Sequence, residues 1–327
     1  WEYSPELVLS LNILSVLVDK APFPMPEEIV TTFFEPLYEI TMNSSDNQVL
    51  QAVSEILSYF TQHAPEQIKN WTSKKEGRNG IELLILAVAR LLDPAWTDSA
   101  SVNTGMLILA IVQNFGALLG DLLPQILDAT VKRLATAKNP ALIENFILVF
   151  SKLVGNSAAD VVNILAKIEI DQDGVKTNGL EVVLKKWLSN FDVLRGYDEI
   201  KENVISLGQL YQLNDSRITS IIVEGDPLPV APNVIMTRSR AKQQGENFTR
   251  IPASAKIVKL FLRELIVGQA AASEALRSAA AANMSADSLG GGDDWEDLDG
   301  PAPASLGPGM LPLDELLKYA GEDGVSD

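Results

Sequence analysis

Apolar side chains recur along this chain with the period of an α-helix, and the helices they define recur in turn. Ile81, Leu84, Ile85, Val88, Leu91 and Leu92 follow an i, i+3, i+4, i+7 spacing. So do Val49, Val53, Ile56, Leu57 and Phe60, then Ile143, Phe146, Ile147, Phe150, Leu153 and Val154, then Val161, Ile164, Leu165 and Ile168. A period near 3.6 residues puts each set on one side of a helix. The breaks are short and carry their own chemistry. Pro22-Phe-Pro-Met-Pro26 separates the first two helices, with Pro26 suited to a first helical turn. Ser45 and Asp46 offer caps ahead of Val49. Gly120 and Gly155 are expected to end helices, and Asn139-Pro140 to start one. Residues 1–220 thus read as about ten helices, each roughly 12–18 residues long.

Sliding Leu107 onto Leu142, an offset of 35, superposes Ile111 on Phe146, Val112 on Ile147, Phe115 on Phe150 and Leu118 on Leu153. Gly120 falls on Gly155, and Ile126 and Leu127 on Val161 and Val162. Each unit is a long apolar helix, a glycine turn and a second apolar helix. One helix pair per roughly 35–45 residues is the period of HEAT-type repeats. Such pairs cannot bury both apolar faces alone and stack into a solenoid. An irregular helical bundle is the alternative; the joint alignment of turns and stripes favours the solenoid. Residues 107–112 are apolar nearly all round, as befits an inner helix between two neighbours.

Beyond Asp215 the texture changes. Residues 218–223 are short, apolar and β-branched, and Gly225-Asp-Pro-Leu-Pro-Val-Ala-Pro232 is a proline-rich connector. The expected organisation is stacked helical repeats over 1–220 and a connector with a basic cluster over 221–253. A long helix of a further repeat follows over 254–282, then a flexible acidic loop over 283–310, then a short helix and tail over 311–327. The fold class is all-α, a HEAT-repeat-like solenoid with a disordered acidic loop near its C-terminal end.

Charge sharpens that division. The net charge is −17, from 26 basic and 43 acidic side chains. Residues 286–327 contribute −10 of it, while residues 235–277 carry +5. A chain this acidic is repelled by nucleic-acid phosphates and attracts basic proteins. There are no cysteines, which excludes disulfides, thiol catalysis and cysteine-zinc sites and fits a reducing compartment. The apolar run 7–18 is broken by Ser10, Asn12 and Ser15 and lacks a basic leader, so it reads as neither a signal peptide nor a membrane span. The chain opens on Trp1 already helical in character and is read as a piece of a longer protein.

Catalytic machinery is not visible. His63 is the one histidine, near a helix end and without a sequence-adjacent partner, and reads as a surface or capping residue. The carboxylates of 293–299 lack the alternation and closing glutamate of a calcium loop. Gly290-Gly-Gly292 does not join a strand to a helix with phosphate-binding spacing. The chain is therefore read as a non-enzyme, with no catalytic residues, cofactor or metal.

The candidate site is an acidic strip, Asp293, Asp294, Trp295, Glu296, Asp297 and Asp299, bracketed by glycines. It holds too little apolar surface to fold alone. Tryptophan supplies anchoring energy in interfaces and the surrounding charges supply steering. The alternative is a chance aromatic in a linker. Thr237-Arg-Ser-Arg-Ala-Lys242 is open to three readings: a nuclear targeting patch, a phosphate contact, or a soluble loop ahead of a helix. Leu311, Leu313, Leu316 and Leu317 are suited to dock a partner helix or to fold back onto the solenoid.

In order along the chain stand Met236-Thr-Arg-Ser-Arg-Ala-Lys242, Asn247-Phe-Thr-Arg-Ile-Pro252, Lys256-Ile-Val-Lys-Leu-Phe-Leu-Arg-Glu-Leu-Ile266 and Asp294-Trp-Glu-Asp297. This series resembles the C-terminal part of the importin-β (karyopherin) nuclear transport receptors, and Leu207-Gly-Gln-Leu-Tyr-Gln-Leu-Asn-Asp-Ser216 fits the same pattern less distinctively. The resemblance implies a HEAT-repeat import receptor that shuttles between cytoplasm and nucleus. It implies binding of the small GTPase Ran in its GTP form, mainly through an N-terminal part absent here, and of phenylalanine-glycine nucleoporins. One branch of the family is associated with basic cargo, the core histone dimer and ribosomal proteins, and residues 293–299 match the acidic loop that embraces such cargo. Neither direct nucleic-acid binding nor membrane binding is implied. Two departures stand out: the acidic loop is shorter than the family's acid tracts, and the chain stops at Asp327, short of the family's last helices. A non-transport helical-repeat scaffold is the alternative function.

Overall fold

The computed structural model describes residues 4–172, 174–227 and 248–287. The chain divides into two compact units, residues 1–266 and 267–327. In the first, helices α1 (Pro5–Asp19), α2 (Glu27–Asn43), α3 (Asn47–His63) and the short α4 (Pro65–Lys69) precede α5 (Gly80–Leu91), α6 (Thr104–Leu119), α7 (Leu122–Thr136) and α8 (Pro140–Leu165). A ribbon of β1 (Glu169–Gln172) and β2 (Val175–Asn178) leads to α9 (Gly179–Ser189), a 3₁₀ turn (Phe191–Val193), α10 (Tyr197–Gln212) and the short α11 (Ser216–Thr219). Strands β3 (Ile222–Pro227) and β4 (Phe248–Pro252) come next, and α12 runs over Ala253–Asp287.

Helix starts are written in the sequence as side-chain caps. The Asp46 carboxylate accepts from the backbone N–H of Gln48 and Val49 at 2.9 and 3.0 Å. Asn79 and Glu82 form a reciprocal capping box on α5. Asn139, Asn178 and Asp215 cap α8, α9 and α11 through their side-chain oxygens. Each cap occupies an amide that the helix itself leaves without a partner. Pro26 stands one place before α2 rather than inside it.

The helices form two rows, the arrangement of a HEAT-repeat solenoid. In the first row α1 packs on α3, α3 on α6, α6 on α8 and α8 on α10. In the second row α2 packs on α5 and α7 on α9, and α2, α5 and α7 each also pack on the first-row helix that follows them. The core lies between the rows, with Phe34, Phe60, Phe115, Phe146, Phe150 and Trp187 fully enclosed. Phe34 meets Trp71 edge to face, ring centroids 5.8 Å apart. Three buried hydroxyls are satisfied locally: Thr41, Thr61 and Thr130 donate to carbonyls one turn back at 2.7–2.9 Å. The first row is close-set. A Cβ on Gly105 of α6 would lie 2.5 Å from the carbonyl oxygen of Asn145 on α8, so only glycine fits there.

The 35-residue match holds at its centre and fails at its edges. Ile111, Phe115, Phe146 and Phe150 are all buried, as are Ile126, Leu127, Val161 and Val162. Gly120 ends α6 with φ +49°, a conformation that favours glycine. Gly155 does not end its helix as expected. It lies within α8, and the chain bends two residues later at Ser157 (φ −156°), whose hydroxyl donates to Asp160 at 2.6 Å. Leu118 is exposed where its counterpart Leu153 is buried.

Two small ribbons interrupt the helices. β1 and β2 pair antiparallel, Glu169 opposite Asn178. Gly174 (φ +83°) lies in their connection, its N–H donating to Asp171 at 3.0 Å. β3 and β4 pair from Ile222 opposite Pro252 to Pro227 opposite Phe248, with an irregularity after Glu224. Of the short β-branched run at residues 218–223, only Ile222 and Val223 belong to this second ribbon; Ile218 and Thr219 end α11. The period-2 signal in the first is only four residues per strand, too short to read against its helical surroundings.

Candidate interaction surfaces

The acidic strip Asp293, Asp294, Trp295, Glu296, Asp297 and Asp299 lies outside the described residues, as do the basic cluster 237–242 and residues 311–319. The surfaces that can be built from the residues upward belong to the helical stack and to the β3–β4 neck.

At the neck, the pairing of Pro227 with Phe248 brings the two ends of the connector side by side. Gly225 leaves room for Thr249, whose hydroxyl accepts from the Asp226 N–H at 2.9 Å; a Cβ at 225 would lie 2.2 Å from that oxygen. The first turns of α12 then close over the neck. Lys256 donates to the Gly225 carbonyl at 3.4 Å, and Lys259 pairs with Asp226. That hydrogen bond and the Lys259 charge hold the Asp226 carboxyl below the usual carboxylate range. Arg263 pairs with Asp192 at 2.5 Å and lies 5.7 Å from the Phe191 ring centroid. Three cations of the basic 235–277 stretch are therefore engaged within the fold.

A second constellation was missed by sequence reading. Near the end of three second-row helices, α5, α7 and α9, a cation reaches back to the preceding repeat. Arg90 of α5 donates to the carbonyls of Thr41 and Ser44, at 2.7 and 2.9 Å, where α2 ends, and lies 4.7 Å from the Trp96 ring centroid. Arg133 of α7 donates to the Trp96 carbonyl at 3.0 Å and pairs with Asp98 at 2.9 Å. Lys186 of α9 donates to the carbonyl of Ala137, the residue that ends α7, at 2.7 Å. A cation at a helix C-terminus meets both orphan carbonyls and the negative end of the helix dipole.

Asp98 organises the centre of this ladder. Burial would raise its pKa. The backbone N–H groups of Lys138 and Asn139, at 2.7 and 2.8 Å, together with Arg133, outweigh that and hold it below its ordinary value. Burial lowers the pKa of Lys186, partly opposed by the Asp98 charge. The signal that could have revealed the ladder is a cation in the last turns of three largely apolar helices, at 90, 133 and 186, the last two each preceded by a lysine, Lys132 and Lys185.

First-row helices are tied differently, through amides and hydroxyls. Asn103 donates to the Gln51 carbonyl at 3.1 Å and Asn145 to that of Val102 at 2.8 Å. Ser206 of α10 donates to the Ser151 carbonyl of α8 at 2.8 Å. A cleft of about 360 Å³ opens between α8 and α10, lined by Lys152, Gly155, Asp198, Lys201, Glu202 and Ile205 among others. Lys152 and Glu202 pair across it at 3.3 Å.

His63 is half-buried at the end of α3; its carbonyl accepts from Met25 at 3.3 Å and its Nδ1 has no hydrogen-bond partner among the described residues. Among the described residues no three of His, Cys, Asp and Glu are placed to hold a metal ion. α8 is long and apolar enough to cross a membrane by length and composition, but it is bent at Ser157 and packed between α6 and α10.

No protein-family model matches the chain. Comparison with curated proteins is decisive. Importin subunit beta-5 of Saccharomyces cerevisiae is 32% identical over 332 residues, covering 99% of this chain and 31% of that protein. Importin subunit beta-5 of Schizosaccharomyces pombe is 27% identical over 323 residues, covering 98% of this chain and 31% of that protein. The chain belongs to the importin-β family. Importin-9 of Drosophila melanogaster is also similar, 26% identical over 267 residues, with 78% of this chain and 25% of that protein covered. The chain thus spans about a third of the length of these importins. The two rows and the cation ladder are this importin-β segment's scaffold.

Proposed function

We propose that this chain is part of a nuclear import receptor that carries basic proteins, the core histone dimer and ribosomal proteins among them. In this reading the receptor shuttles between cytoplasm and nucleus, meets phenylalanine-glycine nucleoporins in the pore, and binds Ran in its GTP form mainly through parts beyond this segment. The observation that carries the reading is similarity to importins along nearly the whole chain. Charge supports the choice of cargo: net −17 overall, with −10 in residues 286–327.

The acidic strip acts as a cargo clamp. Asp293, Asp294, Glu296, Asp297 and Asp299 offer five carboxylates within seven residues, and Trp295 adds an apolar anchor. Each exposed pair with a lysine or arginine contributes at most about 1 kcal/mol. Several together, screened over roughly 8–10 Å at physiological salt, give fast and salt-sensitive capture. Held on histone surface that otherwise meets DNA phosphate, the strip also serves as a chaperone.

The test is binding of purified core histone dimer across a salt series. The intact chain is compared with a variant in which the five carboxylates are neutralised and Trp295 becomes alanine. Salt-dependent binding that weakens at least tenfold in the variant supports the clamp. Equal affinity of the two at low and moderate salt removes it.

A further inference from the structure

Asparagine is followed by glycine twice in the sequence, at Asn79-Gly80 and Asn178-Gly179, and both pairs occupy the same structural place. Each opens a second-row helix, α5 or α9, on the return from a short antiparallel excursion. The excursion is the bridge between Thr72 and Asn79 in the first case and the β1–β2 ribbon in the second. Two independent demands set these residue types side by side. The first position caps: the side-chain oxygens of Asn79 and Asn178 accept from the backbone N–H groups of Glu82 and Glu181, both at 2.9 Å. The second position must be bare. A Cβ at 80 would overlap the Ile68 carbonyl oxygen, and one at 179 would lie 2.9 Å from that of Leu165.

The same pair carries a chemical liability. An asparagine before glycine deamidates without a catalyst, because no side chain shields the asparagine Cγ from the next backbone nitrogen. Once that amide has given its proton to a base, its nitrogen bonds to Cγ. The Cγ–Nδ2 bond then breaks, and the side-chain nitrogen takes up a proton and leaves as ammonia. Water opens the resulting five-membered imide at either carbonyl, giving aspartate or isoaspartate. Both asparagines are exposed, so water and base reach them. Their glycine amides are engaged: Gly80 N–H donates to the Trp71 carbonyl at 3.1 Å, and Gly179 N–H to the Ile168 carbonyl at 2.8 Å. With the nucleophile's proton held and the side-chain oxygen occupied by the cap, ring closure waits on local opening, as amide hydrogen exchange does.

We infer that Asn79 and Asn178 are latent deamidation sites, kept closed by the joints they build and modified when a joint opens. The two products act differently on the fold. Aspartate still caps the helix. Isoaspartate lengthens the backbone by one methylene, which takes the cap out of register and moves the glycine from its close seat. A joint that reacts to isoaspartate while open therefore cannot close as before. One further bond holds the first joint: Asn79 N–H donates to the Glu82 carboxylate at 3.0 Å, completing the reciprocal box. Removing that carboxylate loosens Asn79 and leaves Asn178 as it was.

The test follows deamidation by peptide mass spectrometry, with aspartate and isoaspartate products separated by chromatography. The 327-residue chain is held at mildly alkaline pH, either folded or in urea above its unfolding transition. Asn79 and Asn178 should react at least about tenfold faster unfolded than folded. Asn70, exposed and followed by Trp71, is the reference that stays slow in both states. In the folded Glu82→Ala chain, reaction at position 79 should rise while that at 178 keeps its wild-type rate. Equal folded and unfolded rates at the two asparagines overturn the inference, as does an absence of reaction at both in the unfolded chain. An unchanged rate at position 79 in folded Glu82→Ala overturns it for Asn79. Glu82→Gln takes the place of Glu82→Ala if circular dichroism shows the latter unfolded.

Discussion

α8 lies between α6 and α10 and buries twelve of its 26 residues, whereas α1 buries three of its 15, Leu11, Ser15 and Val18. Yet the two are much alike as sequences. Both are rich in leucine, isoleucine and valine, both begin at a capped proline, and neither carries a basic residue in its last turn. Burial here is decided by neighbours rather than by composition. A helix of a stacked repeat has two sides to cover, and each is covered only when the repeats before and after it are in place. The middle of the stack is a closed core; its first helix is largely exposed.

The comparison is tested most severely at Phe150. Its ring is fully enclosed in α8, and α6 and α10 flank it. Phe150→Ala should cost about 3–5 kcal/mol, because the close-set rows relax little into the cavity. Urea unfolding followed by circular dichroism gives the value. A loss below about 1 kcal/mol would mean that the middle of the stack is no more closed than its end.

Much of that middle was legible beforehand. The stripes at 49–60, 81–92 and 143–154 fell on α3, α5 and α8, since an apolar period of 3.6 is a direct statement of which side is buried. The caps at Asp46 and Asn139 were legible for the same local reason. Gly155 was misread, because a glycine signals permission for a turn and not the turn itself; the bend falls at Ser157, where a hydroxyl bonds to Asp160. The cation ladder was missed because its acceptors are mainly backbone carbonyls 37–49 residues away, so the cations are visible in the sequence but their partners are not. The acidic strip, whose composition pointed to a partner, stands outside the described residues and keeps its role as a proposal.

An intermediate effect is expected at Asp98, where the repeats are tied by charge rather than by packing. Asp98→Asn removes the charge that faces Arg133 and weakens the acceptor of two backbone amides, for a loss of about 1 kcal/mol at neutral pH. The pH dependence has a definite sign. The folded pKa lies below 3.8, so in moderate acid the unfolded chain takes up the proton first. The contribution of Asp98 is therefore fully present above about pH 4 and fades as pH falls through the folded value. Stability curves of wild type and Asp98→Asn should converge in that acid range and run parallel above it. A gap that is constant from pH 7 to pH 2 would show that the ladder acts through shape alone.

The smallest effect should come from α1, and it is the one that separates an exposed helix from a core helix. Leu9 and Val16 are both more than half exposed. Replacing either by serine removes little buried area in this chain, so each change should stay within about 0.5 kcal/mol in the same urea titration. Leu11→Ser on the same helix is the internal control: its side chain is buried, and it should lose at least about 2 kcal/mol. If Leu9→Ser or Val16→Ser matched that loss, α1 would already be covered in the isolated chain, and its resemblance to α8 would extend from sequence to surroundings.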